Sequence, residues 1–179
     1  MAATKTSSTK PKSASAKQVA TAYFDAIKAR DVDAMAAVWK PGSLDHFYGM
    51  ATLRVPEDLK AWFSNLFRAF PDFEMDVADM VAYGDKAAVR WTATGTFTGE
   101  GKFEGLTATG ARVNLEGLDL LTIEDGLIVE NRAYTNATEL ARQLGAMPPA
   151  GSLGERAMLG MVNARTGAVG LIKKARERG

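Results

Sequence analysis

A predicted β-hairpin at Asp125-Gly126 constrains this sequence more than any other feature. Two runs of alternating apolar and polar residues, 113–123 and 127–134, flank this dipeptide. Asp-Gly between such runs is a strong signal for a two-residue turn. With Asp125 and Gly126 as the loop, counting outward places Asp119 opposite Arg132 on the facing strand.

The same register brings several polar side chains onto one apolar face. Side chains alternate along a strand, so the face that carries Asp119 also receives four residues of the second strand. Buried charges are costly unless they are paired. We therefore predict a lined pocket in which Asp119 and Arg132 form either a structural ion pair or a pair that acts on a ligand. The four residues are Glu130, Arg132, Tyr134 and Asn136.

Composition excludes several classes of site. The chain has 179 residues, no cysteine and one histidine, so neither a thiolate site nor a histidine-rich metal centre can form. No apolar run approaches the ~20 residues that span a bilayer, and no secretory signal is visible, so we expect a cytoplasmic protein. Residues 18–154 hold 12 basic and 19 acidic residues, a net charge of −7. This acidic body argues against nucleic-acid binding by the fold itself.

The chain divides into three predicted segments. Residues 1–16 are rich in Ser, Thr, Ala and Lys, as is typical of a disordered basic leader. Residues 17–149 form the predicted domain. Residues 150–179 form a linker and a basic amphipathic helix, which either packs on the domain or a second subunit or lies on a membrane surface.

The predicted domain is of the α+β class. Apolar spacing indicates helices between residues 17 and 70, and alternation indicates strands between residues 73 and 135. A last short helix covers 137–144. We count four main strands plus a short extended piece near His46, and the tight turns favour antiparallel order.

The order and spacing of several short motifs along residues 17–149 resemble the SnoaL-like polyketide cyclase (ester cyclase) family. That family belongs to the cone-fold superfamily of ketosteroid isomerase and nuclear transport factor 2. The motifs are Phe70-Pro71-Asp72, Gly84-Asp85, Val89-Arg90-Trp91, Gly95-Thr96, Thr98-Gly99, Thr109-Gly110, Gly117-Leu118-Asp119, the run from Glu124 to Glu130, and Gln143-Leu144-Gly145.

The resemblance implies a cone: a curved antiparallel sheet closed by N-terminal helices over one mainly apolar pocket. It also implies a hydrophobic, oxygenated small-molecule substrate, a ring closure by aldol chemistry without a cofactor, and a homodimer through the outer sheet face. In the family, Glu-x-Trp-x-x-x-Asp places an acid/base carboxylate before the last helix. Here Arg132 stands at the Trp position and Asn136 at the Asp position, and an Asn side chain cannot exchange the proton. Phe97 stands where the family often has His.

Candidate site residues follow from both arguments. His46 has the only side chain whose ordinary pKa lies near neutrality, and it either lines the pocket or is structural. The aromatic candidates either line the pocket or fill the core. The predicted catalytic residues are Asp119, His46, Glu130 and Arg132; the predicted substrate-binding residues are Tyr134, Asn136, Trp39, Trp62, Phe63 and Trp91; no metal ligand is predicted.

Three hypotheses of function stay open. The first, which we favour, is a cofactor-free cyclase or isomerase, with an epoxide hydrolase of the limonene-epoxide-hydrolase type through Asp119 and Arg132 as a variant. The second is a non-catalytic small-molecule-binding protein. The third is a dimeric interaction module, because Leu118 and Leu120 would lie on the outer sheet face.

Overall fold

Helices cover one face of a six-stranded sheet in the computed structural model, which describes residues 14–176 and the side chains up to residue 166. The predicted leader therefore lies outside the described residues, except for 14–16, where the first helix begins. The architecture is the α+β cone that the resemblance implied.

Local signals set the ends of the N-terminal helices. Helix α1 (Ala16–Ala29) begins at a capping box: Gln18 N donates to Ser15 Oγ at 3.3 Å, and Ser15 N donates to Gln18 Oε1 at 2.9 Å. Helix α2 (Val32–Ala37) follows, and helix α3 (Glu57–Ala69) starts after Pro56 with two acidic residues in its first turn.

The six strands of the main sheet lie in the order β2-β1-β8-β7-β4-β3. Neighbours are antiparallel as expected, except that β1 runs parallel to β8, which corrects the prediction for that pair. The short piece predicted near His46 is a full strand. The strands are β1 (Trp39–Phe47), β2 (Ala51–Arg54), β3 (Glu74–Tyr83), β4 (Lys86–Thr96), β7 (Arg112–Glu124) and β8 (Leu127–Thr135), with a separate hairpin of β5 (Lys102–Phe103) and β6 (Leu106–Thr107).

The register of the β7–β8 hairpin is wrong in the sequence-based prediction beyond its first pairs. The loop is Asp125-Gly126 with both residues at positive φ, and Ile123 faces Ile128 as predicted. A β-bulge then shifts the pairing by one residue, so Asp119 faces Ala133 and Arg132 faces Leu120. Because a one-residue shift moves every later side chain to the opposite face, Glu130, Arg132 and Tyr134 point away from Asp119.

Two helices follow the sheet. Helix α4 (Ala137–Gln143) is capped by Asn136, whose side-chain oxygen accepts from Glu139 N at 2.9 Å. Helix α5 (Leu153–Arg176) is tied to α4 by an ion pair between Arg142 and Glu155 at 2.7 Å. In the described part of the chain, no helix combines the length and apolar character that a membrane crossing requires.

Candidate functional site

An apolar cavity lies between the helices and the inner sheet face. Its volume is ≈ 70 Å³, measured as the space open to the centre of a water-sized sphere. Aromatic side chains form much of its wall, with helices α1 and α3 on one side and β4 and β7 on the other. The aromatic lining residues include Phe24, Phe47, Trp62, Phe63, Trp91 and Phe103.

Asp119 places a carboxyl group in this apolar wall. It is 4% exposed, and strand alternation puts it on the inner face of β7 beside Val89 of β4. Trp91 Nε1 donates to its Oδ1 at 2.8 Å. Gly117 faces Trp91 across the strands, and a Cβ at Gly117 would come within 2.2 Å of the indole ring. The absence of that Cβ lets the indole reach Asp119.

A second buried carboxyl, Asp45 on β1, is linked to Asp119 by one amide. Asn131 Nδ2 donates to Asp119 Oδ2 at 2.7 Å and to Asp45 Oδ1 at 2.9 Å. The hydroxyl of Tyr23, on helix α1, lies 3.1 Å from Asp45 Oδ2. Tyr23 also lines the cavity. Five side chains therefore form a continuous buried network: Tyr23, Asp45, Asn131, Asp119 and Trp91.

Burial controls the ionisation of this network. It raises the pKa of Asp119 to about 6, while the hydrogen bonds from Trp91 and Asn131 oppose the shift. Burial raises the pKa of Asp45 well above its ordinary value, and the negative charge of Asp119 raises it further. In the described residues, no Lys or Arg forms an ion pair with either carboxyl. A pKa of about 6 brings Asp119 closer to neutral pH, where a carboxyl group is better suited to acid/base chemistry.

Four of the predicted site residues line the cavity: Asp119, Trp62, Phe63 and Trp91. Trp39 is buried behind it, with its ring edge-on to Tyr23 at 5.7 Å between centroids. Of the two alternatives that the sequence left open for the aromatic candidates, Trp62, Phe63 and Trp91 follow the first and line the cavity, whereas Trp39 follows the second and fills the core.

The other predicted site residues lie outside the cavity. Arg132 pairs with Glu130 at 3.1 Å on the opposite sheet face, so the predicted Asp119–Arg132 pair is wrong. His46 lies on that outer face, where its Nδ1 is 3.3 Å from Thr52 Oγ1. Tyr134 is 46% exposed and stacks on Tyr48. Asn136 is exposed and caps helix α4.

Tyr23, Asp45 and Asn131 are site residues that the sequence pattern does not reveal. Tyr23 lies on the buried side of helix α1, but its hydroxyl partner lies 22 positions away in the chain. Asp45 shares its strand face with Phe47, an alternation that predicts an inward carboxyl once β1 is known to be a full strand. Asn131 was placed on the outer face by the unshifted register.

In the part of the chain that the structure describes, no three His, Asp or Glu side chains are grouped as metal ligands. The fold and cavity define a cone-fold protein with an apolar cavity between its helices and its sheet. The family profile of SnoaL-like polyketide cyclases matches residues 17–144, and the chain belongs to that family. No curated protein matches the sequence at a significant level.

Solved structures agree with this fold. A protein described as a SnoaL-like polyketide cyclase from Jannaschia sp. CCS1 superposes with a TM-score of 0.66 at 24% identity, over 80% of this chain and 100% of that one. TsrD from Streptomyces laurentii gives 0.62 at 27% identity, over 73% and 94%. A protein with a ketosteroid isomerase-like fold from Catenulispora acidiphila, solved with trimethylamine, gives 0.59 at 14% identity, over 72% and 92%.

Proposed function

We propose that the cavity binds an apolar, oxygenated molecule and that Asp119 acts on it as an acid/base group, in a cyclase or isomerase reaction without a cofactor. The observation that carries this proposal is the Asp119 carboxyl, which lies in a mainly apolar wall with two hydrogen-bond donors and a pKa of about 6. A carboxyl with these properties is suited to moving protons at neutral pH.

The proposed chemistry is enolisation. The Asp119 carboxylate removes a proton from a carbon next to a carbonyl group. The C–H electron pair forms the enolate double bond, and the carbonyl π pair moves to oxygen. In a cyclase, the enolate carbon then attacks a second carbonyl of the same molecule, and the resulting alkoxide takes the proton from Asp119. In an isomerase, Asp119 returns the proton to another carbon.

Binding without chemistry is the second candidate function. It is favoured by Asn136, which stands at the family's acidic position but lies outside the cavity and caps a helix. The position of Arg132, on the other sheet face from Asp119, argues against the epoxide-hydrolase variant that pairs these two residues.

Exchange of the protons next to a ketone carbonyl distinguishes acid/base catalysis from binding without chemistry. We would use 2-tetralone, a bicyclic apolar ketone, in D₂O and follow deuterium uptake by NMR. We expect the protein to accelerate exchange and the Asp119→Asn variant to lose roughly 10²-fold or more of that rate. Glu130→Gln is the matched control, since Glu130 pairs with Arg132 on the outer face.

Binding is measured in the same samples. Trp62 and Trp91 line the cavity, so a ligand there should change tryptophan fluorescence. Binding with no acceleration by the wild-type protein would favour the binding-protein candidate. Absence of both binding and exchange would contradict a pocket for apolar ketones.

We also propose a homodimer through the outer sheet face. Three exposed apolar or aromatic side chains, hereafter the outer patch, lie together there: Tyr48, Leu118 and Tyr134. Leu118 faces Tyr134 across β7 and β8, and the rings of Tyr134 and Tyr48 stack at 4.7 Å. Contiguous exposed apolar surface of this kind is typical of protein contacts.

A further inference from the structure

Two buried carboxyl groups share one amide donor in this fold. Asp45 and Asp119 are 0% and 4% exposed, and Asn131 Nδ2 donates one hydrogen to each. The groups that face the two carboxyls are Tyr23 from α1, Trp91 from β4 and Asn131 from β8, none of which is a cation at neutral pH. Two adjacent carboxylates without a cation repel one another and are poorly solvated. A single proton retained by the pair would remove this repulsion.

The hydrogen-bond donors decide which carboxyl holds this proton. Both oxygens of Asp119 receive N–H donors, from Trp91 and Asn131, and these groups cannot accept a hydrogen bond in return. Asp45 Oδ1 receives the Asn131 amide, but Asp45 Oδ2 faces the Tyr23 hydroxyl, which can donate or accept. A proton on Asp45 Oδ2 therefore has an acceptor, the Tyr23 oxygen, whereas the N–H groups that contact Asp119 offer no acceptor for a proton on that carboxyl.

We propose that Asp45 is a positioning residue that stays protonated and donates its hydrogen bond to Tyr23 Oη, which directs the Tyr23 hydroxyl proton into the cavity toward a carbonyl oxygen of the ligand. This inference rests on the proposed function for its ligand class. Tyr23 then stabilises the enolate oxygen while Asp119 holds the carbon-derived proton. Asp45 itself does not line the cavity, so it acts only through Tyr23.

Ionisation trends agree with this geometry. Burial and the charge of Asp119 hold the pKa of Asp45 well above its ordinary range. Burial also raises the pKa of Tyr23, so its hydroxyl keeps its proton. The proposed network then carries one negative charge, on Asp119, and a neutral carboxyl group on Asp45 that donates to the Tyr23 oxygen.

A titration without any ligand tests the protonation state directly. Isotope-labelled aspartate carboxyls are followed by NMR across the pH range, with Asp45→Asn and Asp119→Asn used for assignment. We expect Asp119 to titrate with a midpoint of about 6 and Asp45 to stay protonated at neutral pH. We also expect Asp119→Asn to lower the Asp45 midpoint, because it removes the neighbouring charge. An Asp45 carboxyl that is ionised at neutral pH would overturn the proposal.

Variants test the role of the tyrosine. In the 2-tetralone exchange assay, Tyr23→Phe should lower kcat about tenfold or more, with a smaller effect on KM. Asp45→Asn keeps a neutral N–H donor toward Tyr23, so it should be at least about tenfold more active than Asp45→Leu, which has none. Equal losses in the two Asp45 variants, both folded by circular dichroism, would refute the positioning role.

The two proposals fail in different ways. If the wild-type protein does not exchange 2-tetralone, the proposed function fails for this ligand class while the carboxyl titration still reports on Asp45. If exchange occurs and depends on Asp119 but Asp45 is ionised, the proposed function stands and the inference about Asp45 is wrong.

Discussion

Asp119 makes the stability of this protein depend on pH. Burial raises its pKa in the folded state to about 6, above the value for an exposed Asp. The folded state therefore binds the proton more tightly than the unfolded state, and the stabilisation from this group is complete below the unfolded pKa. It is lost as the pH rises from about 4 through about 6, and amounts to about 3 kcal/mol.

We therefore expect Asp119→Asn to gain stability relative to the wild-type protein across that pH window. The difference between their free energies of unfolding should grow by about 3 kcal/mol between about pH 4 and pH 7. Urea denaturation at a series of pH values measures it. Glu130→Gln, on the solvated face, should show no such growth, and a constant difference for Asp119→Asn would contradict the buried-charge account.

At the element scale, the bulge in β8 decides which side chains reach the cavity. The dipeptide Asp125-Gly126 predicted the loop and the pair Ile123–Ile128, because turn chemistry is local. It could not predict the extra residue beyond that pair, since a bulge depends on how both neighbouring strands twist. Because the pairing is shifted by one residue, Asn131 rather than Arg132 lies on the buried face with Asp119. A hydrogen bond from the Asn131 amide therefore stands where an ion pair was predicted.

Asn136, at the start of helix α4, stands at the position where the family motif has an acidic residue, and substitutions there test its role. Asn136 Oδ1 accepts from Glu139 N at 2.9 Å, as a helix N-cap does. Asn136→Ala should lower the free energy of unfolding by about 1 kcal/mol, whereas Asn136→Asp should change it by only a few tenths, since Asn and Asp cap equally well. Urea denaturation with 2-tetralone binding in parallel checks this. A loss of binding in a stable Asn136→Asp variant would instead place Asn136 in the ligand site.

At the scale of the whole molecule, the sequence predicted the helices and the main strands, since both follow from local periodicity. It did not predict the network behind the cavity. Tyr23, Asp45 and Asn131 come from three separate elements, and the parallel pairing of β1 with β8 brings the last two together. Contacts between residues 86 positions apart leave no periodic signal in the chain.

We propose that the outer patch is the contact surface between the two copies of the homodimer. Leu118 is 44% exposed in this patch, and a second copy would cover it. Leu118→Asp places a charge in that contact, where it would be desolvated without a partner, so we expect dimers to dissociate into monomers. Leu159→Asp is the matched control: Leu159 is also a half-exposed leucine, 51% exposed, but it lies on helix α5 and not on a strand of the sheet.

Sedimentation velocity over a range of protein concentrations measures the outcome. The wild-type protein and Leu159→Asp should sediment as dimers, and Leu118→Asp as a monomer with an unchanged circular dichroism spectrum. Since the cavity is on the opposite face of the sheet, the monomeric variant should still bind 2-tetralone. Wild-type monomers, or dimers that survive Leu118→Asp but not Leu159→Asp, would move the interface away from the outer patch and toward α5.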